Sequence, residues 1–227
     1  MAKHGYQICV NYNKNQFAAI EVVDAIKSIG GNAIAIQANI SDEKQVLQMF
    51  DQVDNRLGKL NALVNNAGIL FTQSSIENPN TKRINNIFIT NVTGTILCCR
   101  EAVKRMAYQH GGNGGSIVHL SSRAAVLGST HEYIDYAASK GAIDSFTIGL
   151  AQEVAKQGIR VNAVRPGVID TEMHADGGEI NIVHRLKAMI PLQRYGTVED
   201  VDEAIYWLIS EQSSYSTGTF IDVSGGR

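Results

Sequence analysis

Two periodicities alternate along this chain. Short runs with little alternation of polarity, QICVNY at 7–12, NAIAIQANI at 32–40, LNALVNNAG at 60–68, SIVHLSS at 116–122, IRVNAVRPG at 159–167 and TFIDV at 219–223, read as strands buried on both faces. Between them lie stretches with apolar residues at helical spacing. The first, 15–29, stops at Gly30-Gly31, and the second is capped by Ser41 or Asp42 and runs to about Leu57. Further helices are predicted near 82–109, around Tyr136, and near 198–210. Strand followed by helix, repeated, predicts a doubly wound α/β domain with a parallel, Rossmann-like sheet. No repeat, low-complexity tract or proline-rich linker interrupts the order, so residues 1–227 are expected to form a single domain.

Composition narrows the partners. The chain is 44% apolar and 19% charged, which supports a sizeable core. Twenty basic and 22 acidic residues are mixed along it for a net charge of −2, so neither nucleic acid nor a membrane surface is an expected partner. The start MAKHGYQICV has no long apolar run, and no stretch approaches a membrane span. Cys9, Cys98 and Cys99 are odd in number and lack metal-ligand spacing, so neither a disulfide framework nor a zinc site is expected, and the reducing cytoplasm is the expected compartment.

In doubly wound sheets ligands collect beyond the carboxyl ends of the strands. Here those ends carry Asn65-Asn66-Ala67-Gly68, Ser121-Ser122 and Pro166-Gly167. Downstream, YAASK at 136–140 stacks Tyr136 and Lys140 on one helix face, either as a surface pair or as an acid with its tuner. The six histidines form no H-E-x-x-H and no serine sits in G-x-S-x-G, so metalloprotease and hydrolase readings lack support.

Taken together, NNAG at 65–68, NVTG at 91–94, the serines of HLSS, YAASK, RPGVIDT from 165 and TGTFIDVSGG at 217–226 resemble the short-chain dehydrogenase/reductase family over essentially the whole chain. The resemblance implies hydride transfer between a nicotinamide dinucleotide and a carbonyl or alcohol. It implies Tyr136 as acid and base, Ser122 as the hydroxyl orienting the substrate carbonyl, with Ser121 the fallback, Lys140 as ribose ligand and tuner, and Asn91 as holder of a relay water. An ammonium one turn away, together with the positive nicotinamide ring, is expected to bring the phenol down towards the working range. For the cofactor it implies Asn39 and Ile40 at the adenine, Asn66, Ala67 and Gly68 along the adenosine side, Ile169 and Thr171 at the carboxamide, and Asn13 at the end of the adenosine-side strand. Tyr12 stands where an NAD enzyme usually carries Asp or Glu, so NADP is expected, with NAD the alternative. A mobile substrate-covering loop is implied at 172–190, with His174, Asp176 and Glu179 as polar contacts. Small residues at Ala137, Ala138, Gly141, Ala142 and Gly149 suit a homodimer or homotetramer interface.

One departure stands out. The family opens with a strand, a Gly-rich turn and a helix that holds the pyrophosphate, whereas here residues 2–6 run straight into the second strand and no G-x-G-x-x-G occurs. The Gly-rich GGNGGS at 111–116 precedes a strand and reads as a solvent turn. Without the missing element, two ladder edges are expected to be bare, and dinucleotide affinity to fall by roughly 10² to 10⁶-fold. A start assigned too late is the favoured explanation. The rival is a non-catalytic, oligomerising remnant.

Overall fold

The computed structural model describes residues 1–171 and 187–227. Its strands are β1 (Ile8–Tyr12), β2 (Ala33–Gln37), β3 (Ala62–Asn65), β4 (Gly115–Leu120), β5 (Ile159–Pro166) and β6 (Phe220–Val223). Its helices are α1 (Gln16–Ser28), α2 (Glu43–Leu57), α3 (Thr81–Phe88), α4 (Thr95–Met106), α5 (Ala124–Leu127), α6 (Ile134–Val154) and α7 (Val198–Ile209). All strand pairs are parallel, and the arrangement is the expected Rossmann-like α/β fold.

Local chemistry sets the helix starts. Asn15 caps α1 through Ala18 N, and Asp42 rather than Ser41 caps α2 by accepting from Lys44 N and Gln45 N. Thr197 and Asp200 form a reciprocal capping box on α7. Strand residues then sort by face with period two. Ile117 and Val161 join α2, α4 and α6 in one core, while Val118, Leu120 and Val164 join Val201, Leu208 and Ile209 of α7 in another. Helices therefore cover both faces of the sheet. No helix among the described residues is long and apolar enough to cross a membrane.

The sheet is in two parts. β1 pairs only with β2, and β3 belongs to a separate ladder in the order β3-β4-β5-β6. Between β1 and β3 lies a slot of about 760 Å³, lined by Ile8, Cys9 and Asn11 on one side and Ala62 to Ala67 on the other. Every residue of β1 and β3 is only half-buried, in contrast to the fully buried stretches of β4 and β5. The backbone groups on the two facing edges have no ladder partner in these pairings.

Two sequence expectations change on inspection. The helix predicted near 82–109 is one rod from Thr81 to Met106 with a π-helical turn at Ile89–Gly94. The GGNGGS segment is a solvent turn only at its start, where Gly111 and Asn113 are exposed: Gly114 is buried at φ 78°, and a Cβ there would lie 2.4 Å from Gly158 O. Only glycine fits that crossing.

Candidate active site

Three elements converge beyond the carboxyl end of β4. The strand delivers Ser121 and Ser122, α6 delivers Tyr136 and Lys140, and the end of β5 delivers Pro166 and Gly167. Ser122, Tyr136, Lys140, Asn66, Ile169 and Thr171 border one cavity of about 830 Å³. Asn66 also borders the slot, so the two spaces meet there.

The two serines part company. Ser122 hydrogen-bonds the Tyr136 side chain, and its Oγ accepts from Ala124 N at 3.1 Å. Ser121 is buried and turns into the packing, donating to Asp144 Oδ1 at 2.6 Å. Of the two hydroxyls, Ser122 is the one directed at Tyr136.

Lys140 is buried, donates to Leu120 O at 2.5 Å, and lies 5.6 Å from the Tyr136 ring centre. Its burial pulls the ammonium down to about 8, partly opposed by the Asp144 carboxylate. Burial pushes the Tyr136 phenol up to about 12, partly opposed by Ser122. The sequence expectation of a lowered phenol invokes the positive nicotinamide ring as well as the lysine; in the protein alone, desolvation of the phenolate is the largest influence on Tyr136.

Asn91 sits on the π-helical turn, a feature that often marks a functional position. Its side chain clamps the strand-end loop by accepting from Ile69 N at 2.8 Å and donating to Ile69 O at 3.1 Å and Ser139 Oγ at 3.1 Å. A Cβ added to Gly68 would lie in ordinary contact, 3.5 Å from Asn91 Oδ1 and 3.6 Å from Lys140 Nζ, so this glycine sits directly against both side chains. Ile40 and Ala67 line the slot instead. Asn39 Oδ1 accepts from Ser41 N, and Asn13 O accepts from Gln37 Nε2; neither residue borders either cavity. His174, Asp176 and Glu179 lie outside the described residues.

Several neighbours escaped sequence reading. Arg83 forks onto Asp135 at 2.6 and 3.3 Å and donates to Thr72 O, pinning the residue just before Tyr136. Asp144 is a second case. Its signal was present in the sequence, since Tyr136, Lys140 and Asp144 repeat at a spacing of four on one helix.

The cavity bordered by Lys140, Tyr136 and Thr171, with Gly68 packed beside Lys140 and Asn91, has donors suited to the ribose and nicotinamide half of a dinucleotide. For the diphosphate half, no Gly-rich turn leading into a helix is present among the described residues.

Comparison with known proteins agrees with this geometry. The family described as enoyl-(acyl carrier protein) reductase matches residues 1–227. The chain belongs to the short-chain dehydrogenase/reductase family and is an oxidoreductase. It is 59% identical over 227 residues to an uncharacterized oxidoreductase, YgfF of Escherichia coli, covering all of this chain and 92% of that one. It is 34% identical over 226 residues to the 3-oxoacyl-[acyl-carrier-protein] reductase FabG of Staphylococcus aureus, covering 89% of that protein. A double mutant of a Serratia marcescens short-chain dehydrogenase/reductase superposes with a TM-score of 0.90 at 31% identity, over 99% of this chain and 89% of that one.

Proposed function

We propose that this oxidoreductase reduces a small carbonyl compound, or oxidises the corresponding alcohol, with Tyr136 as the proton-transferring group and NADP as the carrier. The observation that carries the reading is the Ser122–Tyr136–Lys140 constellation on one cavity wall. When bound, the dinucleotide supplies the hydride. The chain supplies the rest: Ser122 donates a hydrogen bond to the substrate oxygen, and Tyr136, protonated well above neutral pH, gives its proton to that oxygen as negative charge develops. The buried Lys140 ammonium then offsets the charge left on the phenol. The ribose would sit beside Lys140 and Asn91 near Gly68, with Ile169 and Thr171 as the wall for the carboxamide. The absence of a carboxylate at Tyr12 favours a 2′-phosphate. The cytoplasm, with its NADPH supply, is the compartment that suits three free cysteines.

The test is NADPH oxidation at 340 nm with a panel of small ketones and 3-oxoacyl thioesters. Tyr136→Phe removes only the hydroxyl and is expected to lower turnover by about 10² to 10⁴-fold. Undiminished turnover would refute the role.

The slot between β1 and β3 bears on the same reading. We propose that its proper occupant is a parallel strand followed by a Gly-rich turn, which would join the two ladders and give the diphosphate its backbone donors. Joining such a segment to the chain is expected to raise the melting temperature and bring NADPH binding into the micromolar range; no change in either would defeat this. A homodimer or homotetramer through the outer faces of α4 and α6 is likewise proposed. Ile96 and Ile148 are exposed there, and a Cβ on Gly141 or Gly149 would meet nothing within 4 Å. Light scattering of the purified protein gives the answer.

A further inference from the structure

Asp144 lies one turn beyond Lys140 on α6 and is buried. Its two oxygens are divided between two other elements. Oδ1 accepts from Ser121 Oγ at 2.6 Å, and Oδ2 takes both Nε and Nη2 of Arg165 on β5, at 2.9 and 2.8 Å. Ser121 Oγ is also 3.4 Å from Lys140 O. Arg165 is itself fixed, stacked 3.9 Å from the Phe220 ring centre and 3.8 Å from Asp222, which Arg123 holds. One carboxylate therefore crosslinks the end of β4, the middle of α6 and the end of β5. These are the three elements that deliver Ser122, Lys140 and Pro166-Gly167 to the cavity.

We propose that Asp144 is a positioning residue of the catalytic centre: its carboxylate locks the Ser121-Ser122 strand end onto α6 and supplies the counter-charge that keeps the buried Lys140 an ammonium. This rests on the reading of Tyr136 and Lys140 as the working pair. The charge balance supports it. Among the described residues the charged groups around Asp144 are Lys140 on its own helix, Arg165 on β5, and the Asp222–Arg123 pair on β6 and the turn after β4. His119 on β4 feels Lys140 but is held neutral by burial. Asp144 thus faces two cations and is the anion acting on Lys140, while Asp222 reaches no closer than the far side of Arg165. Arg165 competes with Lys140 for that charge, so removing one or the other must move Lys140 in opposite directions.

The test uses the full chain labelled with [ε-¹³C]lysine, with Lys140 assigned by its absence in Lys140→Met. Asp144→Asn keeps the shape and the acceptor for Ser121 and removes the charge; the Lys140 titration midpoint is expected to fall by about one pH unit or more. Arg165→Gln leaves the carboxylate to Lys140 alone, and the midpoint is expected to rise. Where turnover is measurable, the alkaline limb of kcat/KM should move with the midpoint in each variant while KM for the carbonyl stays within about two-fold. Midpoints that do not move, with only melting temperatures lowered, would make Asp144 a plain crosslink and overturn the proposal. Should Asp144→Asn not fold, the Arg165→Gln shift alone decides. If the wild type reduces no carbonyl, the proposed function fails, yet the two midpoints still show whether Asp144 sets the charge on Lys140.

Discussion

A residue that serves chemistry at the expense of folding should make the protein more stable when it is removed, and Lys140 meets the conditions. Its ammonium is 5% exposed and is drawn from 10.5 to about 8, which amounts to a penalty of about 3 kcal/mol on carrying the charge into the fold. Lys140→Met keeps most of the volume and removes the charge. Against the relieved penalty stands the lost hydrogen bond to Leu120 O, worth about 1–1.5 kcal/mol, and a weak contact with the Tyr136 ring of about 0.5 kcal/mol. Asp144 retains Ser121 and Arg165. The variant should therefore gain about 1–2 kcal/mol at pH 7, or about 3–6 °C in melting temperature, and lose turnover. The pH dependence fixes the cause. Below pH 8 the lysine is charged in folded and unfolded chains alike and the full penalty applies. As pH rises through 8 the folded protein sheds the proton, and beyond 10.5 both states are neutral and the penalty is gone. Urea denaturation at pH 7 and pH 10 should accordingly show an advantage for the variant that is lost at the higher pH. A variant less stable than wild type at pH 7 would refute the reasoning.

Two further outcomes follow from buried groups elsewhere. His119 is fully buried between Cys99 Sγ at 3.2 Å and Thr147 Oγ1 at 2.8 Å, and burial holds its imidazole down to about 4. The unfolded chain takes up a proton near pH 6.5 and the folded one only near pH 4, so stability should drop by about 2 kcal/mol between pH 7.5 and pH 5, a loss His119→Gln would abolish in urea titrations. Gly94 closes the π-helical turn against Ile40, and a Cβ there would lie 2.8 Å from the Ile40 side chain and 3.0 Å from Ile40 O. Gly94→Ala should cost about 1–3 kcal/mol by overpacking, read as a lower melting temperature.

Much of this fold was legible because strand and helix periods differ and the punctuation is strong. Asp42, Gly30-Gly31 and Gly58 bound the second βα unit almost as patterning predicts. That Asn66, Ser122, Tyr136 and Lys140 would meet at one cavity was legible for another reason, since YAASK, HLSS and NNAG cluster at strand ends and one helix face. What patterning could not reach were features made by contact. The π-helical turn holding Asn91 keeps helical polarity throughout, so no period change betrays it. Ser121 and Ser122 are equivalent in one dimension and differ only in which way the strand end turns. The raised phenol of Tyr136 depends on how much water the cavity wall excludes, which spacing does not encode.

The two halves of the molecule carry different burdens. β4 and β5 are paired on both sides and packed from both faces, and they hold Ser122, Lys140 through Leu120, and the Asp144–Arg165 crosslink. β1 and β3 each have one neighbour and a half-buried backbone along the slot. The Ser122, Tyr136 and Lys140 cluster is thus anchored in the part of the sheet with the most complete pairing, whereas the slot lies where pairing is incomplete. Opening of the β1–β2 unit by local unfolding would disturb Ile40 and Asn11 at the slot without moving Tyr136 relative to Ser122. Hydrogen exchange should register this as fast amides on β1 and β3 beside protected amides on β4 and β5, and uniform protection across the four strands would show that the slot costs the ladder nothing.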